Sequence, residues 1–342
     1  MGCRSCRESR MKAVERRAIT RQFRILSRAV RRGEATDSQL REFAAKHSDV
    51  LGENAADAPI PAGESVDAAD TPFSTRDGVP LHLRDLYAGA AVFLVLGGPS
   101  IKTLDLSLLR RRGAIAFGIN NSPSLIRPHL WTFVDKPLKF HDAIWRDPGV
   151  MKFVPEPQIR RSIREKDRDG FRTIHRGGDE NVPVQCGEMP GVVAYKRNAF
   201  FRPDRWLDEP SINWGNSLKS SRENRNHRSL NTMFAVLKIS YWLGFRVVYM
   251  LGCDFKMQAD APYAFDQGGN QGKADANNNG YAVMSEMFAE LAPRFDAAGF
   301  HVFNCNPNSG LTVFPHVPYK EAIASATGHV PQDPLDTAGW YD

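Results

Sequence analysis

The apolar positions of this chain fall into short runs separated by polar turns, and the runs are of two kinds. Ala90–Leu96 reads Ala-Ala-Val-Phe-Leu-Val-Leu without interruption. Strands of a parallel sheet carry this pattern because both of their faces are covered. Ala114–Ile119, Leu130–Val134 and Val247–Leu251 repeat it in shorter form, and a last strand starts at His301–Asn304. The other runs recur at helical spacing. In Ser229–Leu243, Leu230, Phe234, Leu237 and Tyr241 share one face, and Gly244 follows as a C-terminal cap. Leu104–Arg111 and Met284–Ala298 also read as helices, the second capped by Gly299. Strands alternating with helices predict an α/β fold, a Rossmann-like, doubly wound, mostly parallel sheet.

The flanks read differently. Val14, Ile19, Phe23, Leu26 and Val30 predict a helix over 11–32 with arginines between them, and Ser38–Lys46 predicts a second, capped by Asp37. Residues 51–80 are rich in Ala, Pro, Gly and acids without periodicity, as a linker is. The expected organisation is a basic helical segment at 1–50, a linker at 51–80, a nucleotide-binding domain at 81–330 and a tail at 331–342. Within that domain, 141–225 is rich in prolines and charges and reads as an insertion or lid over the site.

Charge sharpens this division. The net charge is +6, but residues 1–50 carry 13 Lys and Arg against 6 Asp and Glu, while the rest is slightly acidic. Affinity for nucleic acid or another polyanion is thus expected of residues 1–50 alone. No apolar run approaches the ~20 residues that cross a bilayer, and the arginine-rich start never gives way to the apolar run of a secretory signal. Of the five cysteines, Cys3 and Cys6 make half a zinc site with no second pair, and Cys186, Cys253 and Cys305 stand alone. Unpaired thiols in a reducing compartment, hence a cytoplasmic location, are the expectation.

Candidate chemistry sits where the runs end. The first strand stops at Gly97-Gly98-Pro99-Ser100, the second at Asn120-Asn121, the third at Asp135, and the fourth at Gly252-Cys253-Asp254-Phe255. Ligands of open parallel sheets bind beyond the carboxyl ends of the strands, so Asn120, Asn121 and Asp135 are expected to line one crevice with the glycine loop. Glycine allows close approach of a ligand, and backbone amides at a helix start attract an anion.

The order of these pieces resembles a known family. Gly-Gly-Pro-Ser is followed by Asn-Asn, Asp135, Asn231-Thr232 at a helix start and the stretch Trp242–Phe255. Then come Tyr263-Ala264-Phe265-Asp266 and Asn306-Pro307-Asn308-Ser309. Over roughly 91–310 this is similar to the bacterial lipooligosaccharide sialyltransferases and the related 6-hydroxymethylpterin pyrophosphokinase-like domain. The resemblance implies a glycosyltransferase that needs neither metal nor cofactor. Its substrate would be a nucleotide-activated sugar, a CMP-sugar being one choice. Gly97, Gly98, Ser100, Asn120, Asn121, Asn231, Thr232, Asp254, Asn308 and Ser309 would bind that donor. Asp135, Asp266, Tyr263 and Lys256 would carry the chemistry, with Tyr263 donating to the leaving phosphate.

The chain departs from that pattern twice. Lys256 stands where the family has a second tyrosine. The family's general-base histidine has no counterpart, because Gly268–Tyr281 contains none. An acceptor hydroxyl needs a base near its proton; Asp266, Asp275, Asp135, His227 and His316 are the replacements to consider. Sugar transfer to a glycan or DNA acceptor is the first expectation. A pterin-type diphosphokinase and a non-catalytic nucleotide-binding module are the alternatives.

Overall fold

The computed structural model describes residues 37–47, 71–140, 142–167, 170–176, 179–198, 201–213, 231–260, 263–265 and 271–332. The helix expected over 11–32, the Cys3/Cys6 pair, His227, Asp266 and the last ten residues lie outside the described residues. The chain divides into two compact units, Met1–Ser65 and Val66–Asp342. In the first unit, helix α1 (Asp37–Lys46) forms where the sequence predicts it, with Leu40 and Ala44 buried. Among the described residues no helix is long and apolar enough to cross a membrane.

The second unit is built on one eight-stranded sheet. Its strands are β1 (Phe73–Ser74), β2 (Ala91–Val95), β3 (Ile115–Ile119), β4 (Leu130–Thr132) and β5 (Met151–Pro155), then β10 (Val192–Tyr195), β13 (Val247–Leu251) and β14 (His301–Asn304). Two hairpins, β6 (Arg164–Asp167) with β7 (Gly170–Thr173) and β8 (His175–Arg176) with β9 (Asp179–Pro183), precede β10. The pair β11 (Arg197–Asn198) and β12 (Ile212–Asn213) follows it.

The strand order is β1-β10-β5-β4-β3-β2-β13-β14, and every pairing but β1–β10 is parallel. From β2 the chain moves outward in one direction through β3, β4, β5 and β10. It then returns to add β13 and β14 on the other side of β2. The order therefore reverses between β2 and β13, which is where open parallel sheets leave a crevice.

Both faces of the central strands are covered. Val92, Leu94, Val248 and Met250 pack on one side against helix α3 (Thr232–Trp242) and helix α4 (Gln271–Ala297). Phe93, Val95, Tyr249 and Leu251 pack on the other against helix α5 (Tyr319–Thr327). A third cluster gathers Trp131, Phe133 and Phe140 around Trp145 of helix α2 (Asp142–Arg146). The α3–α4 contact includes Phe234 stacked on Phe288 at 4.3 Å, worth about 1 kcal/mol beyond its buried area.

Four expectations are corrected. Residues 141–225 are not all insertion, because β5 and β10 belong to the central sheet; the hairpins between them are what departs from it. The linker expected at 51–80 ends early, since β1 pairs with β10 from Phe73 onward. Leu104–Arg111 is not an α-helix. Pro99–Thr103 and Leu106–Arg110 form two 3-10 turns, and the Asp105 carboxylate accepts from Ser107 N at 3.1 Å to start the second. Finally, burial on α3 is not confined to the face that Phe234 and Leu237 share. Residues 232–240 are all buried, as befits a helix that is apolar nearly all round.

Candidate functional site

A cleft of about 220 Å³ opens at the β2/β13 reversal. Its floor is two glycine loops laced together. Gly98 N donates to Gly252 O at 3.0 Å, one step beyond the last strand pairing. Ser100 N donates to Asp254 Oδ2 at 3.1 Å. A Cβ on Gly98 would overlap both Asp254 Oδ2 and Gly252 O. Glycine is required there by space, since its φ of −72° suits any residue.

Asp254 is the knot of this floor. It is 8% exposed, and both carboxylate oxygens have protein donors: Ser100 N on Oδ2 and Asn306 Nδ2 on Oδ1. Asn306 is itself fixed, its N donating to Asn304 Oδ1 at 3.0 Å and its Oδ1 accepting from Asn308 N at 3.0 Å. Ser309 Oγ donates to Asp254 O at 3.4 Å. Asn308 and Ser309 thus lie behind the floor and brace Asp254, rather than lining the cleft.

The walls come from three elements. Asn120 closes β3 with a left-handed backbone (φ 49°), pinned by Trp131 Nε1 donating to its carbonyl at 2.9 Å. Such conformations cost energy and cluster at working sites. Helix α3 points its N-terminus at the cleft. Asn231 caps it by accepting from Met233 N at 2.8 Å, and Thr232 supplies a first-turn amide that no helix pairs internally. The helix dipole adds a partial positive charge there. Lys256 lines the opposite rim; no carboxylate among the described residues pairs with it.

The remaining wall is aromatic. Tyr263 and Phe265 stack at 5.4 Å, and Ala264 N donates to Gly97 O at 2.8 Å to hold this segment over the glycine loop. Phe255 and Tyr281 stack at 4.7 Å. Burial, then the neighbouring Asp135 charge, pushes the Tyr263 phenol above its ordinary pKa. Burial, then Tyr263, Cys253 and Asp254, push Tyr281 up to about 12. Both phenols are therefore neutral donors at physiological pH.

The structure brings Gly97, Gly98, Asn120, Asn231, Thr232, Asp254, Lys256 and Tyr263 to one cleft. Ser100 sits in the loop beneath, its amide turned to Asp254. Asn121 and Asp135 are absent from the lining. Asn121 turns away at the head of a 3-10 turn, and Asp135 is 57% exposed and paired with Lys139 at 2.9 Å. His316 pairs with Asn304 on the sheet edge, outside the lining.

Two lining residues on α4, Asn277 and Tyr281, escape the sequence reading. Asparagine and glycine disfavour helix, so Gly268–Tyr281 reads as loop. A signal was nonetheless there. Ala274, Met284, Phe288, Leu291 and Phe295 are buried along α4 at alternating spacings of three and four, and Asn277 and Tyr281 occupy the same stripe. The stripe that packs the core at one end enters the cleft at the other. The chain matches no family model, no curated protein and no solved structure.

Proposed function

We propose that this chain is a glycosyltransferase-like enzyme that moves a sugar from a nucleotide-activated donor, a CMP-sugar being one choice, to an acceptor hydroxyl without a metal. The fold reading that goes with it is a doubly wound Rossmann-like sheet with the 156–191 hairpins as a lid. One observation carries the proposal. Among the described residues the only carboxylate lining the cleft, Asp254, is consumed by Ser100 and Asn306. Beside it the cleft is lined by a set of donors: the α3 N-terminus, Lys256, Tyr263 and Tyr281. Such a set receives an acceptor-only anion, and a phosphate is the anion that a strand–glycine loop–helix arrangement suits.

In this reading the bond from the sugar to the donor phosphate breaks and its electron pair leaves with the phosphate. Lys256, Tyr263 and the α3 amide oppose the developing charge where water is partly excluded. The acceptor oxygen bonds to the sugar and its proton passes to a base. We assign that role to Asp266, next in sequence to Phe265 of the cleft wall, because Asp135 stands outside the cleft and faces Lys139.

Product analysis with a panel of CMP-, UDP-, GDP- and ADP-sugars tests the proposal. Nucleotide release with sugar transfer, reduced at least tenfold in Lys256→Ala, is expected. Nucleotide binding without turnover would leave a binding module. Absence of both binding and turnover across the panel would overturn the reading.

A further inference from the structure

We infer that the Tyr281 hydroxyl is a phosphate-binding group of the cleft, held in place by the strained backbone of Phe255. This rests on the nucleotide reading above and adds a residue to it. Tyr281 lines the cleft from α4, yet its hydroxyl bonds to no described residue. A half-buried phenol facing a cleft with no partner among the described residues is available to a ligand. Its neighbours decide which ligand. Tyr281 stays protonated, so it offers a donor, and the ammonium of Lys256, which pairs with no carboxylate among the described residues, lines the same cleft. A neutral donor and a cation together suit a phosphate oxygen better than a sugar hydroxyl, which offers a proton of its own.

The ring is placed at a cost. Phe255 has φ 51°, a conformation that bulky residues rarely adopt. It is enforced from behind. Gly310 N donates to Asp254 O at 2.8 Å, and a Cβ on Gly310 would come within 2.6 Å of Phe255 O. Turned this way, the Phe255 ring stacks on Tyr281 and also reaches Phe288 at 6.2 Å. Asn278, one turn before Tyr281, anchors α4 to the same segment, accepting from Met257 N at 2.8 Å and donating to Met257 O at 3.0 Å. The loop after β13 and the first half of α4 are therefore held as one piece, and the phenol is carried with them.

Tyr281→Phe keeps the stack and deletes only the hydroxyl. Calorimetric titration of the full chain with nucleoside 5′-monophosphates and with the matching nucleosides reads its role. We expect monophosphate affinity to fall about tenfold or more while nucleoside affinity stays within about twofold. Phe255→Ala, which removes the support and leaves the hydroxyl, is expected to reproduce part of that selective loss; thermal unfolding of each variant verifies the fold. Wild-type affinity that is equal for monophosphate and nucleoside would overturn the inference. So would a Tyr281→Phe variant that binds both as wild type does, while the nucleotide reading survives. A wild type that binds neither would overturn both.

Discussion

Gly98→Ala is the sharpest perturbation of the floor of this cleft. A single methyl is added at a backbone conformation (φ −72°, ψ 147°) that alanine adopts without strain. Any cost is therefore steric. The added Cβ would overlap Asp254 Oδ2 and Gly252 O and lie 2.8 Å from Asp254 Cγ. None of these atoms is the loose end of a flexible side chain. Gly252 O is tied by the bond from Gly98 N itself, and the Asp254 carboxylate is tied to Ser100 N and Asn306 Nδ2. Relief requires breaking at least the Gly98–Gly252 bond and one carboxylate bond. The first is worth about 1 kcal/mol and the second, to a charged acceptor, about 2 kcal/mol. Residual strain in a packed site adds about 1 kcal/mol. Urea unfolding should show a loss of about 3 to 5 kcal/mol, and nucleotide titration should show weakened binding. Gly89→Ala is the control. Its φ of 77° strains any side chain, but nothing lies within 4 Å of the added Cβ, so it should cost only about 1 kcal/mol and leave binding intact. A Gly98→Ala variant no less stable than Gly89→Ala, with wild-type binding, would refute the claim that the two loops are locked.

Two further outcomes concern the body of the fold. Lys152 is fully buried and its ammonium donates to Asp147 O, Val150 O and Pro190 O at 2.6, 3.0 and 2.7 Å. Lys152→Met keeps the stem but strands three carbonyls, so urea unfolding should show a loss of about 3 to 5 kcal/mol; a loss under 1 kcal/mol would mean that water replaces the ammonium. The Arg127 guanidinium, which donates to Asp147 Oδ1 at 2.7 Å, holds the Asp147 carboxyl down to about 2. Because the folded value lies below the unfolded one, the pair stabilises above about pH 4 and loses that contribution as pH falls toward 2. Asp147→Asn keeps an acceptor for Gly149 N, so its urea midpoint should lie below wild type at pH 7 and converge with it between pH 4 and 2. A gap that persists unchanged at pH 2 would assign the effect to something other than charge.

How much of this was legible beforehand depended on how local each signal is. Val247–Leu251 has the bounds that its apolar run predicts, because a strand buried on both faces leaves no polar positions to blur the pattern. The helix read from Ser229 carries Asn231 as its cap, one position before Thr232, where α3 begins. Helix α4 was read from Met284 and begins at Gln271. Its first half has poor intrinsic propensity and is held by contacts such as Asn278 with Met257, which lies 21 residues away. Tyr281 was missed with it.

The sequence by itself determined the α/β class, the strands at the centre of the sheet and the polar residues that end them, because burial pattern and turn chemistry act over a few neighbours. It did not determine which of those ends share a cleft. Asp254 and Asn308 stand in equally suggestive motifs, yet one is the knot of the floor and the other lies behind it. Asp135, expected to end a strand as Asn120 does, lies three residues beyond Thr132 and pairs with Lys139 in solvent. Those outcomes follow from the strand order. The reversal between β2 and β13 brings Gly98 against Gly252 and Asp254 across 154 residues of chain, and only that packing decides which polar groups are spent on each other and which face a ligand.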